Sequence, residues 1–202
     1  MRVKSLLPLA ALLAFGGCGG TKATAPPAAT HVAPTNQATT ARADALQAEA
    51  NAAATGDIPD NQVFLVFHNS AAGYSIKYPE GWAQSGSGAR LAFRDKNNIV
   101  RVVVSKSAAT TPSEVRKQLS SLNGVHVQSG PQRLTVSGAP AIKVVYTTQS
   151  APNAVTGKRV TLMVDRYYLA RGGREAIVDL GTPVGVDNVD AYRLMIESFR
   201  WR

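Results

Sequence analysis

The sequence predicts an α+β domain, an antiparallel sheet sandwiched by helices, and three observations carry that prediction. Short runs rich in β-branched and aromatic residues recur from Val63 to Leu180, and tight turn signals separate several of them. Only two segments in that stretch carry helical periodicity, one near residue 112 and one near residue 187. Hairpins therefore outnumber crossover units, which favours antiparallel pairing, and no 20–50-residue period suggests a repeat protein.

Upstream of that domain the chain is organised for export. Arg2 and Lys4 make a positive start, and an apolar stretch runs from Leu6 to Phe15. That length suits a secretion signal and is too short for a membrane-spanning helix, which needs about 20 apolar residues. Gly16, Gly17 and Cys18 follow, and the run resembles the lipobox of bacterial lipoproteins, with Phe15 standing where an aliphatic residue is usual. The resemblance implies cleavage after residue 17 and a diacylglyceryl group on the Cys18 thiol. Cys18 is the only cysteine, so it has no intramolecular disulfide partner. Each buried methylene of an acyl chain contributes about 0.8 kcal/mol, so two or more chains anchor stably. The alternative is an ordinary signal cleaved near Gly17, releasing a soluble protein with a stray thiol.

Residues 18–57 read as a tether. From Gly19 to Ala41 the composition is Ala, Thr, Pro and Gly, which buries too little surface to offset chain entropy. His31 falls in this stretch as a solvated residue. Arg42 to Ala54 favours helix but offers Leu46 as its one large apolar residue, so it has no stripe to pack on a core. Gly56 closes it, and Ile58-Pro59-Asp60 turns into the domain proper, residues 58–202.

Within the domain, Val63 to Phe67 is a β-rich run, and Tyr74, Ile76 and Tyr78 alternate along a second strand stopped by Pro79. Glu80-Gly81 leads to Trp82, and Ser85 to Gly88 reads as a loop. Arg90–Arg94 and Ile99–Ser105 make a hairpin across a four-residue turn, 95–98. Thr111, Pro112 and Glu114 form a capping box, and Val115, Leu119 and Leu122 share a helix face that Gly124 ends. Val125–Gln128 and Gln132–Val136 are strands separated by Ser129-Gly130-Pro131. After the Ser137-Gly138 turn, Ala141–Thr148 is a strand, and 149–157 is a polar loop. Arg159–Leu169 and Glu175–Leu180 pair across the hairpin turn 171–174, and Gly181-Thr182-Pro183 breaks the second strand. A last helix begins near Asp187, with Val189, Tyr192, Ile196 and Phe199 as its apolar face.

The run Gly73-Tyr74-Ser75-Ile76-Lys77-Tyr78-Pro79-Glu80-Gly81-Trp82 resembles the opening of PsbP-like domains, and the order of elements to Arg202 resembles that family too. The resemblance spans roughly Ala72 to Arg202. It implies an α/β/α sandwich around an antiparallel sheet. That family includes photosystem II extrinsic subunits, Ran-binding relatives and bacterial lipoproteins without assigned activity, so it transfers a fold and no photosystem role. Tyr74, Tyr78 and Trp82 are expected to fill core rather than stack a ligand.

Chemistry is sparse. The chain carries 22 Lys and Arg against 13 Asp and Glu, and removal of Arg2 and Lys4 leaves a net +7. The basic residues are scattered and not interleaved with aromatics, so no nucleic-acid platform is predicted. Anionic headgroups, an acidic partner or plain solubility account for the charge equally well. His68 and His126 lack metal-ligand spacing, no second cysteine exists for zinc, and no cofactor is expected. Ser85-Gly86-Ser87-Gly88 lacks the apolar strand that a nucleophile elbow requires. Asp165 and Asp179 lie on consecutive strands. They would make a metal or acid/base pair if they shared a face; otherwise each faces solvent or pairs with Arg166, Lys143 or Arg101 across the sheet. The expectation is a non-enzymatic lipoprotein facing outside the cytoplasm. It is held to the membrane by Cys18 and docks an envelope protein. A small-molecule or lipid-binding domain is the alternative.

Overall fold

The structure, a computed structural model, describes residues 42, 44–47, 56–153 and 155–202. The expected signal 1–17, the anchor Cys18 and His31 lie outside those residues. Residues 42 and 44–47 are helical, with Leu46 exposed.

The domain runs β1 (Phe64–Asn69), β2 (Tyr74–Pro79), β3 (Ala83–Ser87), β4 (Arg90–Asp95), β5 (Asn98–Ser105) and α1 (Pro112–Ser120). It continues β6 (His126–Val136), β7 (Ala139–Gln149), β8 (Thr161–Arg171), β9 (Arg174–Pro183), α2 (Val189–Glu197) and β10 (Arg200–Trp201). Seven strands form an antiparallel sheet in the order β3-β4-β5-β9-β8-β7-β6, and β1-β2-β10 form a second, small one.

The two faces of the large sheet have different covers. One face, from Leu91, Phe93, Val100, Val102, Val178 and Leu180, packs with Tyr74 and Ile76 of the small sheet and with Tyr192, Met195, Ile196 and Phe199 of the C-terminal segment. On the other, Val115 and Leu119 of α1 rest on Ile142, Val144, Val164 and Tyr168. The placement of α1 follows from connectivity. The chain leaves β5 near mid-sheet and must reach β6 at the far edge, so the helix on that path covers β7 and β8 rather than β4 and β5.

Alternation explains the core aromatics. Tyr74 is fully buried, Trp82 nearly so, and Tyr78 stacks on Phe93 with ring centres 4.1 Å apart. Phe199 lies 5.5 Å from the Tyr74 ring in a stacked pair. Tyr74 and Trp82 are core and Tyr78 packs half-buried against it, as expected. The capping box forms as expected: the Glu114 amide donates to the Thr111 hydroxyl, and the Glu114 carboxylate accepts from the Thr111 amide at 2.7 Å.

Several boundaries differ from expectation. The helix α1 ends at Ser120 with Ser121 as its C-cap, so Leu122 is exposed rather than on the packed face. Ser85–Ser87 belong to β3, an exposed edge strand that small polar residues tolerate. Asp95 pairs with Asn98, which shortens the β4–β5 turn to two residues. Ser129-Gly130-Pro131 does not end a strand. It lies within β6, an edge strand with two register irregularities, where a missing amide donor is tolerated. Likewise Gly181-Thr182-Pro183 continues β9. A Cβ at Gly181 would meet Ile99 Cγ2 at 2.9 Å, so the glycine is there for close strand packing, not for a break. In α2, Met195 takes the buried position and Val189 is exposed. The residue before α2, Asn188, spends its side chain elsewhere: its oxygen accepts from the Ile58 amide at 2.8 Å, and its nitrogen donates to Thr182 Oγ1 at 2.8 Å and to the Gly56 carbonyl at 3.1 Å.

Candidate functional site

Register decides the fate of the two candidate carboxylates. On β8 and β9, Asp179 stands opposite Arg166, while Asp165 stands opposite Leu180. Side chains alternate along a strand, so Asp165 and Asp179 point to opposite faces of the sheet. They make no shared site. Each is instead in the cross-strand pairing that the sequence offered as the alternative.

Asp179 is clamped. Arg101 on β5 and Arg166 on β8 are its direct cross-strand neighbours. Arg166 Nε donates to Oδ1 at 2.6 Å and Arg166 Nη2 to Oδ2 at 3.0 Å. Arg101 donates to Oδ2 through Nε at 3.0 Å and also through Nη2. The Asp179 side chain is 4% exposed, that of Arg166 12% and that of Arg101 46%. Burial alone would pull the Arg166 pKa down, but the hydrogen bonds and charge of Asp179 outweigh it and the net shift is upward. The guanidinium carbon of Arg166 also lies 5.1 Å from the centre of the Tyr146 ring. Burial, then the nearby Asp179 charge, pushes the Tyr146 hydroxyl up to about 12. Both carboxylate oxygens of Asp179 are thus occupied by guanidinium donors, which suits it to holding two cations rather than moving a proton.

On the opposite face Lys143 Nζ and Asp165 Oδ2 are 2.5 Å apart, with side chains 24% and 27% exposed. Lys143 also lies 5.4 Å from the Tyr167 ring centre. His68 and His126 are exposed, on β1 and β6. Among the described residues there is no group of three or more His, Cys, Asp and Glu side chains placed to hold a metal.

Two surface features went unnoticed in the sequence. The first is a cleft of about 470 Å³ on the face that carries α1, at the end of the sheet that α1 does not reach. Ile99, Tyr146, Leu162 and Val164 line its floor, Arg94 and Arg101 flank it, and the segment 148–153 forms a wall. Alternation within β5, β7 and β8 marks these residues as sharing faces, but only strand order makes them neighbours. The second is β1, at one edge of the small sheet, where Leu65 and Val66 are exposed, as is Val63 just before it.

No protein-family model and no curated protein sequence matches the chain. Among solved structures, it is similar to the solution structure of cyanobacterial PsbP (CyanoP) from Synechocystis sp. PCC 6803, at 14% identity and a TM-score of 0.52, covering 73% of this chain and 98% of that one. Lower scores relate it to the Ran-binding protein Mog1p of Saccharomyces cerevisiae (TM-score 0.45, 10% identity, 70% and 96% covered). LpqN, involved in cell envelope biogenesis in Mycobacterium tuberculosis, has a TM-score of 0.38 at 15% identity, with 69% and 84% covered. The likeness to CyanoP, with the antiparallel sheet and its two helices, gives this domain a PsbP-like fold.

Proposed function

We propose that this protein is a lipoprotein, anchored through acylated Cys18 and facing outside the cytoplasm, whose PsbP-like domain acts without catalysis as an accessory module for an envelope protein. The anchor rests on the run from Leu6 to Cys18. The non-enzymatic reading is supported by Asp179, whose carboxylate oxygens are taken up by Arg101 and Arg166, and by the separation of Asp165 from it across the sheet. The observation that carries the docking role is β1, because an edge strand with exposed Leu65 and Val66 is a template for a further strand from a partner.

Affinity capture from mild detergent extracts tests it, with Cys18→Ser and Leu65→Lys/Val66→Lys variants beside the native protein. The expected result is an envelope complex reduced by both variants, with incorporation of a clickable fatty acid lost only in Cys18→Ser. Fatty-acid labelling that survives Cys18→Ser, or a complex indifferent to the β1 changes, overturns the corresponding half of the reading.

The cleft of about 470 Å³ supports a second reading, a small-molecule-binding domain, since such pockets measure about 300–1,000 Å³.

A further inference from the structure

The cleft beside α1 combines three properties that point to one class of ligand. Its floor is apolar and comes from three different strands: Ile99 on β5, Tyr146 on β7, Leu162 and Val164 on β8. The register sets them in a row, for Ile99 stands opposite Gly181, Gly181 opposite Val164, and Val164 opposite Tyr146. Gly181 contributes no side chain at the centre of that row. Nothing larger would fit there, since a Cβ would press on both Ile99 and Val164. The Ile99 and Val164 side chains close over that position, so the apolar floor is continuous across it.

The charge at the flank is unbalanced. Among the described residues Asp179 is the only carboxylate residue lining the cleft, and it is already shared by Arg101 and Arg166, two cations to one anion. Arg101 reaches it from the exposed side, lines the cleft and keeps nearly half of its side chain exposed. Arg94 stands across from Ile99 on β4, adds a further cation on the same sheet face, and has no ion pair among the described residues. Asp179 thus holds Arg101 in place without neutralising the pair of arginines, and it limits the freedom that a long cationic side chain would otherwise lose on binding an anion.

We infer that this cleft binds a small organic anion, with a phosphate or carboxylate head held by Arg101 and Arg94 and an apolar body lying on Tyr146, Leu162 and Val164. Guanidinium groups suit such heads because their forked N–H donors match two oxygens at once. The inference rests on the small-molecule reading of the domain and is independent of the anchor and of β1. The head is of one chemistry whether it belongs to a soluble metabolite or to a phospholipid.

The test is an NMR titration of the full chain, in a neutral detergent, with phenyl phosphate and with the uncharged benzyl alcohol. Saturable shifts confined to residues around 94–101, 146–153 and 162–164, with phenyl phosphate at least tenfold tighter than benzyl alcohol, are expected. Arg94→Gln, at an exposed position outside any ion pair, is expected to weaken phenyl phosphate about tenfold and leave benzyl alcohol unchanged. Competition by phosphatidylglycerol vesicles, absent with phosphatidylcholine vesicles, identifies a lipid headgroup as the source; lack of competition identifies a soluble anion. Equal binding of both probes in the cleft overturns the anion inference and leaves the small-molecule reading standing. Absence of any shift in the cleft overturns both. Shifts spread over the basic surface, unaltered in Arg94→Gln, mark simple charge attraction and overturn the inference as well.

Discussion

The two faces of the large sheet are made by alternate residues of the same strands, yet they solve burial differently. The face under α2 and the small sheet is covered by apolar and aromatic side chains, and the Lys143–Asp165 ion pair on it is partly exposed. The face under α1 packs Val115 and Leu119 mainly on β7 and β8, and beyond the helix it holds an ion triad around the buried Asp179 and an open cleft. The difference teaches where charge can sit. A carboxylate at 4% exposure persists because two guanidiniums satisfy it, whereas a quarter-exposed carboxylate needs only one cation because it stays open to solvent.

Four measurements would break or sharpen that contrast. The largest effect is expected for Asp179→Ala, which leaves Arg166 buried against Tyr146 without its counter-ion. Urea denaturation should show a loss of about 3–5 kcal/mol, and a loss below about 1 kcal/mol would mean that the triad is solvated. Next comes alkaline pH. The folded Tyr146 hydroxyl titrates at about 12, above its ordinary value of 10.0, so the folded state holds its proton more tightly. Its contribution is fully present below pH 10 and is lost as the pH rises towards about 12. Stability should fall through that window, with tyrosinate absorbance at 295 nm appearing later than in the denatured chain. Thr111→Ala removes the cap of α1, which packs on the cleft face, and should cost about 1 kcal/mol, read as a shift in melting temperature. The smallest effect belongs to Asp165→Ala, at under about 1 kcal/mol. A cost equal to that of Asp179→Ala would erase the distinction between the faces.

Local chemistry was legible where it acts over a few residues. Thr111 to Glu114 announced the cap because both partners lie within one helical turn. Tyr74 and Ile76 announced a buried face because alternation is a property of the strand itself. Glycine and proline misled at 130–131 and 181–183, where the strands persisted for reasons outside the segment: β6 is an edge, and Gly181 has Ile99 and Val164 against it. The exposure of Leu122 likewise reflects a helix that stopped at Ser120. The strand β10 is two residues long and exists only because β2 lies alongside it.

The sequence by itself determined the α+β class, the two helices of the domain and most of its strands, because each depends on composition or periodicity within a short window. It also named the partners of Asp165 and Asp179 without choosing among them. Tertiary structure made that choice, since one residue of register between β8 and β9 sends the two carboxylates to opposite faces. It alone decided the cleft, because its floor joins residues up to 65 positions apart, Ile99 to Val164, through a strand order that no local pattern encodes.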